Sequence, residues 1–376
     1  MSSHSSCLKL ALDAKRIVVK VGTSTLTDPH QAVVTKHCVQ SVASEIAALW
    51  KAKKQVIVVT SGAIGVGMGL LRLKARPTAL PKLQAAAATG QGLLIQWYTA
   101  RFEEEGLHAA QILLTRGDLE DRRRYVNAKG TLETLLRSRV VPIINENDTV
   151  SVEEIRYGDN DILSAHVATL INADLLVILT DVDKLIGPSG PLSIVAEITP
   201  ELERAARGTK KAVSTGGMRT KLEAAKIVTA SGIPMVSLNG RGKNNLADLF
   251  SKEEIRGTWF LPRGDSSIKE GLRWVAFTGR PQGKIFVDVG AKEALMDHRR
   301  SLLASGVRAI EGNFQAGDLV SVSEMGRSQE FARGIVGYSH AEMERIKGLR
   351  SDAIAAASGK KAKEVIHRDS LVILRG

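Results

Sequence analysis

Short apolar runs alternate with segments of helical periodicity from Ile17 to about residue 240. The runs have the length of buried strands, and the segments between them place apolar residues at steps of three and four, as in Val39, Val42 and Ile46. We predict strands at Ile17–Val21, Val56–Val59, Ala110–Leu114, Val140–Ile144, Leu175–Leu179 and Pro234–Leu238. Strands that alternate with helices indicate right-handed βαβ units. The pattern therefore predicts an α/β domain whose open, mainly parallel sheet is sandwiched by helices.

The pattern changes near residue 260, where Gly, Pro, Arg and isolated aromatic residues follow one another without a sustained period. Beyond this region we predict strands at Lys284–Val289, Leu319–Val322 and Leu371–Leu374, and helices near Ala291–Leu295 and Ala341–Ile346. We therefore expect a loose N-terminal tail (residues 1–14), an α/β domain (15–260), a linker (261–278) and a small, mostly β domain (279–376).

Composition and charge narrow the class of protein. Hydrophobic residues make up 44% of the 376 residues, as in ordinary globular proteins, and two cysteines support neither a disulfide framework nor a cysteine metal site. The N-terminal apolar segment is too short and too charged for a signal peptide, so we expect a cytoplasmic protein without membrane spans. The net charge of +12 is spread thinly, with 16 Lys and Arg against 12 Asp and Glu in residues 280–376. This spread favours a solvated basic surface over a dedicated nucleic-acid patch.

The stretch from Val140 to Asp161 carries the most polar chemistry, because a fully apolar strand leads into two clusters of Asn and Asp. The first cluster is Asn145, Glu146, Asn147 and Asp148, and the second is Asp159, Asn160 and Asp161. Ligands of open α/β sheets bind at the carboxyl ends of strands, where these clusters lie. A turn followed by a helix N-cap would use the same residue types. The spacing alone leaves both interpretations open.

Two glycine-rich turns suggest phosphate binding. Lys20 lies within an apolar strand, where its ammonium group needs an anionic partner unless the side chain reaches solvent from an edge strand. Gly22 then permits close approach of a ligand to the backbone. Gly62 begins a series of glycines after the second strand, which predicts an anion-binding nest of backbone N–H groups.

A further cradle is predicted where Thr215 to Lys221 opens a helix with two glycines, hydroxyl groups and a lysine in its first turn. Thr180 and Asp181 follow another strand. Neither a Walker A sequence nor a kinase H-R-D loop is present. Lysines, glycine-rich turns and Asn/Asp clusters without an evident base suit phosphoryl transfer, in which the protein mainly positions groups and neutralises charge.

The chain resembles the glutamate 5-kinase branch of the amino-acid kinase family. The motifs that carry this resemblance, in order from about residue 15 to 240, are VVKVGTS, VIVVTSGAIGVG, LLTRGDLEDRRRYVNA, PIINENDTV, GDNDILSA, LLTDVDKL and TGGMRTK. The region from Gly279 onward resembles a PUA domain, a fold associated with RNA-modifying proteins.

The resemblance implies ATP-dependent phosphorylation of the γ-carboxylate of L-glutamate, the first step of proline synthesis, with Mg²⁺ bridging the nucleotide phosphates and no metal held by protein residues alone. It implies that Lys20 and Lys221 bracket the transferring phosphoryl group and that Asp161 holds both lysines. Glutamate would contact Ser61, Asp148 and Asn160. The expected ATP contacts are Lys20, Thr180, Asp181, Thr215, Gly216, Gly217, Met218, Arg219, Thr220 and Lys221.

The resemblance also implies a homo-oligomer and feedback inhibition by proline. Two alternatives remain. The chain could act on N-acetylglutamate or aspartate, although the NEND and GDND clusters and the PUA-like region disfavour both. From a different class, residues 280–376 could make it chiefly an RNA-binding protein, which their modest net charge disfavours.

Overall fold

The computed structural model describes residues 3–31, 33–151, 160–188, 190–207, 217–242, 245–250, 255–262, 268, 270–358 and 363–374. The chain divides into two compact units. The first comprises residues 1–119 and 123–267, and the second comprises residues 120–122 and 268–376. The predicted linker (residues 261–278) differs from the observed division, because residues 268–278 belong to the second unit. There a turn of π-helix at Trp274–Thr278 is mostly buried.

The first unit is built on a predominantly parallel sheet. From one edge of the sheet to the other, the strands are arranged in the order β3-β4-β2-β1-β5-β9-β10-β8. A separate hairpin pairs β6 with β7. The strands are β1 (Arg16–Val21), β2 (Gln55–Thr60), β3 (His108–Leu114), β4 (Val140–Glu146), β5 (Leu175–Thr180), β6 (Leu185–Gly187), β7 (Gly190–Leu192), β8 (Ile194–Val195), β9 (Met235–Asn239) and β10 (Thr258–Phe260). Strands β1 to β5 and β9 pair in parallel, whereas β10 is antiparallel to β9. All six strands predicted for this unit are confirmed: five are extended by one or two residues at one or both ends, and the one predicted at Pro234–Leu238 is shifted by one residue.

Helices connect these strands. They are α1 (Ser3–Asp13), α2 (Thr23–Leu26), α3 (Lys36–Lys51), α4 (Ala63–Leu70), α5 (Leu80–Glu104), α6 (Arg116–Glu120), α7 (Arg122–Arg137), α8 (Asn160–Leu170), α9 (Pro200–Arg207), α10 (Met218–Ala230) and α11 (Asn245–Leu249). Right-handed crossovers place α3 and α5 on one face of the sheet and α8 and α10 on the other, because the chain moves along the sheet in opposite directions in the two halves. The predicted sandwich is confirmed.

The reversal of direction lies between β1 and β5. From β1 the chain moves through β2 toward one edge, and from β5 it moves through β9 toward the other. Such a switch point opens a crevice beyond the carboxyl ends of the strands, which is where ligands of open α/β sheets bind. Five of the six residues of β1 and all six of β5 are buried, so their ends are fixed by packing on both faces.

The glycine series after β2 differs from the predicted nest. Gly65, Gly67 and Gly69 lie inside helix α4, which begins at Ala63, so only Gly65 has an N–H group in the first turn. Gly67 instead lets α4 cross α5 closely, because a Cβ on it would lie 1.7 Å from the carbonyl oxygen of Ala86. A Cβ on Gly90 of α5 would lie 2.1 Å from the carbonyl oxygen of Ala63. Of this glycine series, Gly67 thus serves the packing of α4 against α5.

The expectation of a loose N-terminal tail is also wrong for the described residues. Residues from Ser3 to Asp13 form α1, and its Cys7 and Ala11 are buried. Cys7 and Ala11 of the N-terminal apolar segment therefore serve packing, whereas Leu12 is exposed. Burial raises the pKa of the Cys7 thiol to about 11, which keeps it protonated at neutral pH.

The second unit is small and mostly β. Its five-stranded sheet has the order β12-β11-β13-β14-β15, and β11 and β13 pair in parallel while the other pairs are antiparallel. Its elements are β11 (Gly283–Val287), α12 (Val289–Met296), β12 (Val307–Gly312), β13 (Leu319–Glu324), β14 (Glu330–Val336), α13 (His340–Ile346), α14 (Ser351–Ser358) and β15 (Ile366–Ile373). The sequence pattern missed β12 and β14, where apolar residues alternate with polar ones or glycine. The three predicted strands and two predicted helices are present with shifted ends.

Among the described residues, no helix combines the length and the apolar character that crossing a membrane would require.

Candidate active site

Three charged side chains meet beyond the carboxyl end of β1. Nζ of Lys20 lies 2.7 Å from Oδ1 of Asp161, and Nζ of Lys221 lies 3.3 Å from Oδ2 of the same carboxylate. The hydroxyl group of Thr220 donates a hydrogen bond to Oδ2 of Asp161 at 2.7 Å. Exposure of the three charged side chains is only 6%, 0% and 7% for Lys20, Asp161 and Lys221. The structure therefore joins the three residues that the sequence assigned to catalysis.

The fold dictates this meeting. Lys20 extends from the central strand β1, where neither an edge nor solvent is available to its side chain. Asp161 lies in the first turn of α8, a position that favours a carboxylate because of the helix dipole. Lys221 lies in the first turn of α10, which packs against α8. The alternative of a solvent-seeking edge-strand lysine is therefore excluded for Lys20.

The electrostatics of this cluster are strongly coupled. Burial alone would raise the pKa of Asp161, but the ammonium groups of Lys20 and Lys221 and the hydrogen bond from Thr220 hold it well below its usual range. Burial lowers the pKa of Lys20, an effect that the Asp161 carboxylate opposes and the Lys221 ammonium reinforces. Two ammonium groups and one carboxylate give the cluster a net charge of +1. Because such a charge is costly to bury, the cluster favours an anionic ligand.

Asn160 is the first residue of α8, as its place in the second Asn/Asp cluster allowed, and its side chain joins the ends of two strands, β2 and β4. Its Nδ2 donates to the carbonyl oxygen of Thr60 at 2.8 Å, to Oγ of Ser61 at 2.9 Å and to Oδ1 of Asn145 at 3.0 Å. Ser61 and Asn160, both predicted substrate contacts, are thus brought together next to Asp161. Asp159 lies outside the described residues.

Asp148, the third predicted substrate contact, follows β4 and is partly buried. Burial raises the pKa of Asp148 to about 6, and the charge of Arg76 acts in the opposite direction. A carboxylate with such a pKa gains from a cationic ligand, because a nearby positive charge favours the ionised form. No hydrogen bond in the described part of the chain connects Asp148 to Ser61 or Asn160.

The predicted nucleotide contacts lie on two elements. Thr180 ends β5 and is buried, and Asp181 follows it at the surface; their side chains are 3.3 Å apart. Gly217 is the N-cap residue of α10, which begins at Met218. Arg219 donates to Glu223 in an exposed ion pair, so its guanidinium is directed along the helix surface in this structure. Thr215 and Gly216 lie outside the described residues.

The two glycines assigned to a phosphate nest have different roles. Gly62 has a φ of +105° as the N-cap residue of α4, a conformation that L side chains rarely adopt. The N–H group of Gly22 donates to the carbonyl oxygen of Leu179 at 3.3 Å, so it is already used within the protein. A Cβ on Gly22 would lie 3.5 Å from Nζ of Lys20. Gly22 therefore keeps the space next to Lys20 open rather than serving as a free donor.

Sequence reasoning missed a residue behind the site. Gln91, on α5, accepts a hydrogen bond through Oε1 from Nδ2 of Asn145 at 2.7 Å. Gln84 and Tyr98 lie seven residues before and after it, and they contact the carbonyl oxygen of Ser151 at 3.2 Å and the hydroxyl group of Thr60 at 3.1 Å. Polar residues at a seven-residue spacing along one side of a long helix are the signal that could have identified this stripe.

Comparison with known proteins agrees with this architecture. Residues 15–239 match the model of the amino acid kinase family, and residues 283–367 match the PUA domain. Proteins named glutamate 5-kinase align with almost the whole chain. The protein from Geobacter sulfurreducens is 48% identical, over 96% of this chain and 98% of its own length. Those from Caldanaerobacter subterraneus subsp. tengcongensis and Moorella thermoacetica are 47% and 46% identical, over 96% and 97% of this chain and 98% of theirs. The chain therefore belongs to the amino acid kinase family and, within it, groups with the glutamate 5-kinases that carry a PUA domain.

Proposed function

We propose that this protein transfers the terminal phosphoryl group of ATP to the side-chain carboxylate of L-glutamate, giving γ-glutamyl phosphate for proline synthesis. The observation that carries the proposal is the buried cluster of Lys20, Asp161 and Lys221 at the switch point of the sheet, one residue from Asn160. The near full-length similarity to glutamate 5-kinases supports the choice of substrate.

The chemistry needs charge neutralisation more than a base. A glutamate side-chain carboxyl group has a pKa of about 4.3, so it is already an anion at neutral pH and needs no deprotonation. The enzyme must instead bring this anion to a phosphoryl group that also carries negative charge. Lys20 and Lys221 would stabilise the charge on the transferring group, and Asp161 would hold both ammonium groups in position.

The nucleotide would bind from the side of β5 and α10. Thr180, Asp181 and the residues from Thr215 to Lys221 are the proposed contacts, and the N-terminus of α10 offers backbone N–H groups to phosphate. Mg²⁺ would enter with ATP as part of the substrate. In the described part of the chain no three His, Cys, Asp or Glu residues are grouped to hold a metal ion, and Asp161 is occupied by cations. Phosphate oxygens and water would thus supply most ligands of Mg²⁺.

Glutamate would bind beside β2 and β4. Ser61 and Asn160 would contact it at the carboxyl end of β2, and the carboxylate of Asp148 would attract its ammonium group. Asp148 is half-buried, so an ion pair there would be screened less by solvent than a surface pair.

The test is an assay of ADP release or acyl hydroxamate formation with MgATP and single substrates. We expect strong stimulation by L-glutamate and little by N-acetylglutamate or aspartate. The proposal would be refuted if glutamate did not stimulate ADP release while another substrate was phosphorylated. A titration against proline in the same assay tests the expected feedback inhibition.

Four further expectations stay proposals. They are a homo-oligomer, a cytoplasmic location in keeping with ATP and glutamate as substrates, an end of the α/β domain near residue 260, and an accessory role for the PUA domain. If the protein is instead chiefly an RNA-binding protein, full-length protein should shift RNA in a gel with a steep dependence on salt, since phosphate contacts release counterions.

A further inference from the structure

Three amides form a hydrogen-bonded chain that leads from helix α5 to the substrate side of the candidate site. Gln91 accepts from Asn145 at 2.7 Å, and Asn145 accepts from Asn160 at 3.0 Å. An amide side chain can be turned by 180° with little change in shape, which exchanges a donor for an acceptor. The chemistry of any ligand next to Asn160 therefore depends on what fixes the orientation of these amides.

The backbone fixes the middle of the chain. The N–H group of Glu146, which can only donate, donates to Oδ1 of Asn145 at 2.9 Å. Nδ2 of Asn145 must therefore face Gln91, and Gln91 must present its oxygen, since two NH₂ groups facing each other would leave both without an acceptor. Oε1 of Gln91 is that acceptor, and without it Asn145 would have a buried donor with no partner at this position.

The other end of the chain is fixed in the same way. The carbonyl oxygen of Thr60 can only accept, and Nδ2 of Asn160 donates to it at 2.8 Å. The amide nitrogen of Asn160 thus faces Thr60, Ser61 and Asn145, and its carbonyl oxygen faces the other way. Oδ1 of Asn160 is buried and has no hydrogen-bond partner among the described residues. A buried acceptor without a partner is costly, so a ligand that donates there gains affinity.

We propose that Gln91 is a positioning residue: it accepts from Asn145 and so holds Asn145 against the amide of Asn160, whose carbonyl oxygen is presented to the ammonium group of the substrate. This inference rests on the proposed function and assigns an atom to substrate selection. Glutamate has one donor group, its ammonium, at neutral pH, and its two carboxylates are acceptors only. An acceptor at Asn160 therefore selects the ammonium end, whereas the opposite amide orientation would favour a carboxylate.

The experiment compares glutamate with glutarate, which has the same side-chain carboxylate but lacks the ammonium group. Binding of each ligand is measured by calorimetry, and kcat and KM are measured with MgATP, for wild-type protein, Gln91→Leu and Gln91→Glu. We expect Gln91→Leu to reduce the preference for glutamate over glutarate by roughly tenfold or more, as the loss of a hydrogen bond to a charged group predicts. KM for ATP should change little, and Gln91→Glu, which keeps an acceptor for Asn145, should retain most of the preference.

Gln96→Leu is the matched control, because Gln96 is exposed on the same helix. Thermal unfolding checks that each variant is folded, and Gln91→Met replaces Gln91→Leu if the latter does not fold. If Gln91 has a purely structural role, the variant should bind glutamate and glutarate more weakly by the same factor, and the ratio of the two affinities should not change. This result would overturn the role assigned to Gln91 but not the proposed function. Wild-type protein that does not bind glutamate would overturn both the assignment and the proposed function.

Discussion

Lys20 and Asp161 form a 2.7 Å ion pair in which both side chains are almost completely buried, although they lie on a central strand and at the start of a helix far along the chain. Lys221 shares the same carboxylate from a third element. Breaking a buried ion pair on one side leaves an uncompensated charge, so each member of this cluster affects the other two.

Replacing either lysine should impair turnover much more than substrate binding. Because each ammonium group would stabilise charge in the transition state, Lys20→Ala and Lys221→Ala should lower kcat by roughly 100-fold to 1,000-fold, in line with the ~3–4 kcal/mol of an oxyanion contact. KM for glutamate should change only a few-fold. Lys226→Ala is the control, since Lys226 is exposed on the same helix as Lys221. Steady-state kinetics measure kcat and KM of each variant. A decrease in kcat of less than tenfold in either variant would contradict the assigned roles.

Asp161→Asn should destabilise the protein as well as inactivate it. The substitution leaves two buried ammonium groups without their carboxylate, a change that typically costs about 3–5 kcal/mol. Because the folded-state pKa of Asp161 is depressed, its stabilising effect is present above the unfolded pKa of about 3.9 and is lost as the pH falls through the folded value. The gap in free energy of unfolding between wild type and variant should therefore narrow toward low pH. Denaturant titrations at several pH values measure this difference in free energy of unfolding. A difference that does not change with pH would contradict the role of the Asp161 carboxylate.

Asp148 should make glutamate binding dependent on pH. With its pKa raised to about 6, the carboxylate becomes protonated as the pH falls through that value and can no longer attract an ammonium group. KM for glutamate should therefore rise below pH 6 in the wild type, and Asp148→Asn should have a high KM that varies less with pH. KM for ATP, measured in parallel, serves as the control. A KM for glutamate that is flat between pH 5 and 8 would count against this role.

The same raised pKa has a consequence for stability. A carboxyl group whose pKa is higher in the folded state stabilises that state below its unfolded pKa and loses this effect as the pH rises through about 6. Asp148→Asn should therefore be more stable than wild type at pH 7.5, with the difference shrinking toward pH 4. Thermal or denaturant unfolding at these two pH values would measure it, and a variant less stable at pH 7.5 would contradict the burial of an ionised carboxylate.

The crossing of α4 and α5 can be tested with two glycines of one helix. Gly90→Ala should destabilise the protein by about 2 kcal/mol or more, because the new methyl group would press on the backbone of α4. Gly92→Ala places its methyl group in open space and should stabilise the protein by up to ~1 kcal/mol through higher helix propensity. Denaturant unfolding of both variants gives the answer. Equal effects of the two substitutions would mean that the helices can move apart freely.

The sequence by itself determined the α/β and mostly β parts of the chain, because strand length, helical period and their alternation are local properties. It also indicated that Lys20, Asn160 and Asp161 lie at one edge of the sheet, since polar side chains after apolar strands mark one edge of a parallel sheet. The glycines after β2 are ambiguous in sequence, because a glycine required by close packing of two helices, such as Gly67, gives the same pattern as a glycine in an anion-binding nest.

Only the tertiary structure decided which partners these residues have. Thr60 and Asn160 are 100 residues apart, and Lys221 and Asp161 are 60 apart, so no local pattern specifies their contacts. The burial of α1 and the orientation of the Asn160 amide likewise depend on distant groups, the latter on the carbonyl oxygen of Thr60. Local sequence sets which groups can donate or accept, whereas the packing of distant elements sets which of them meet.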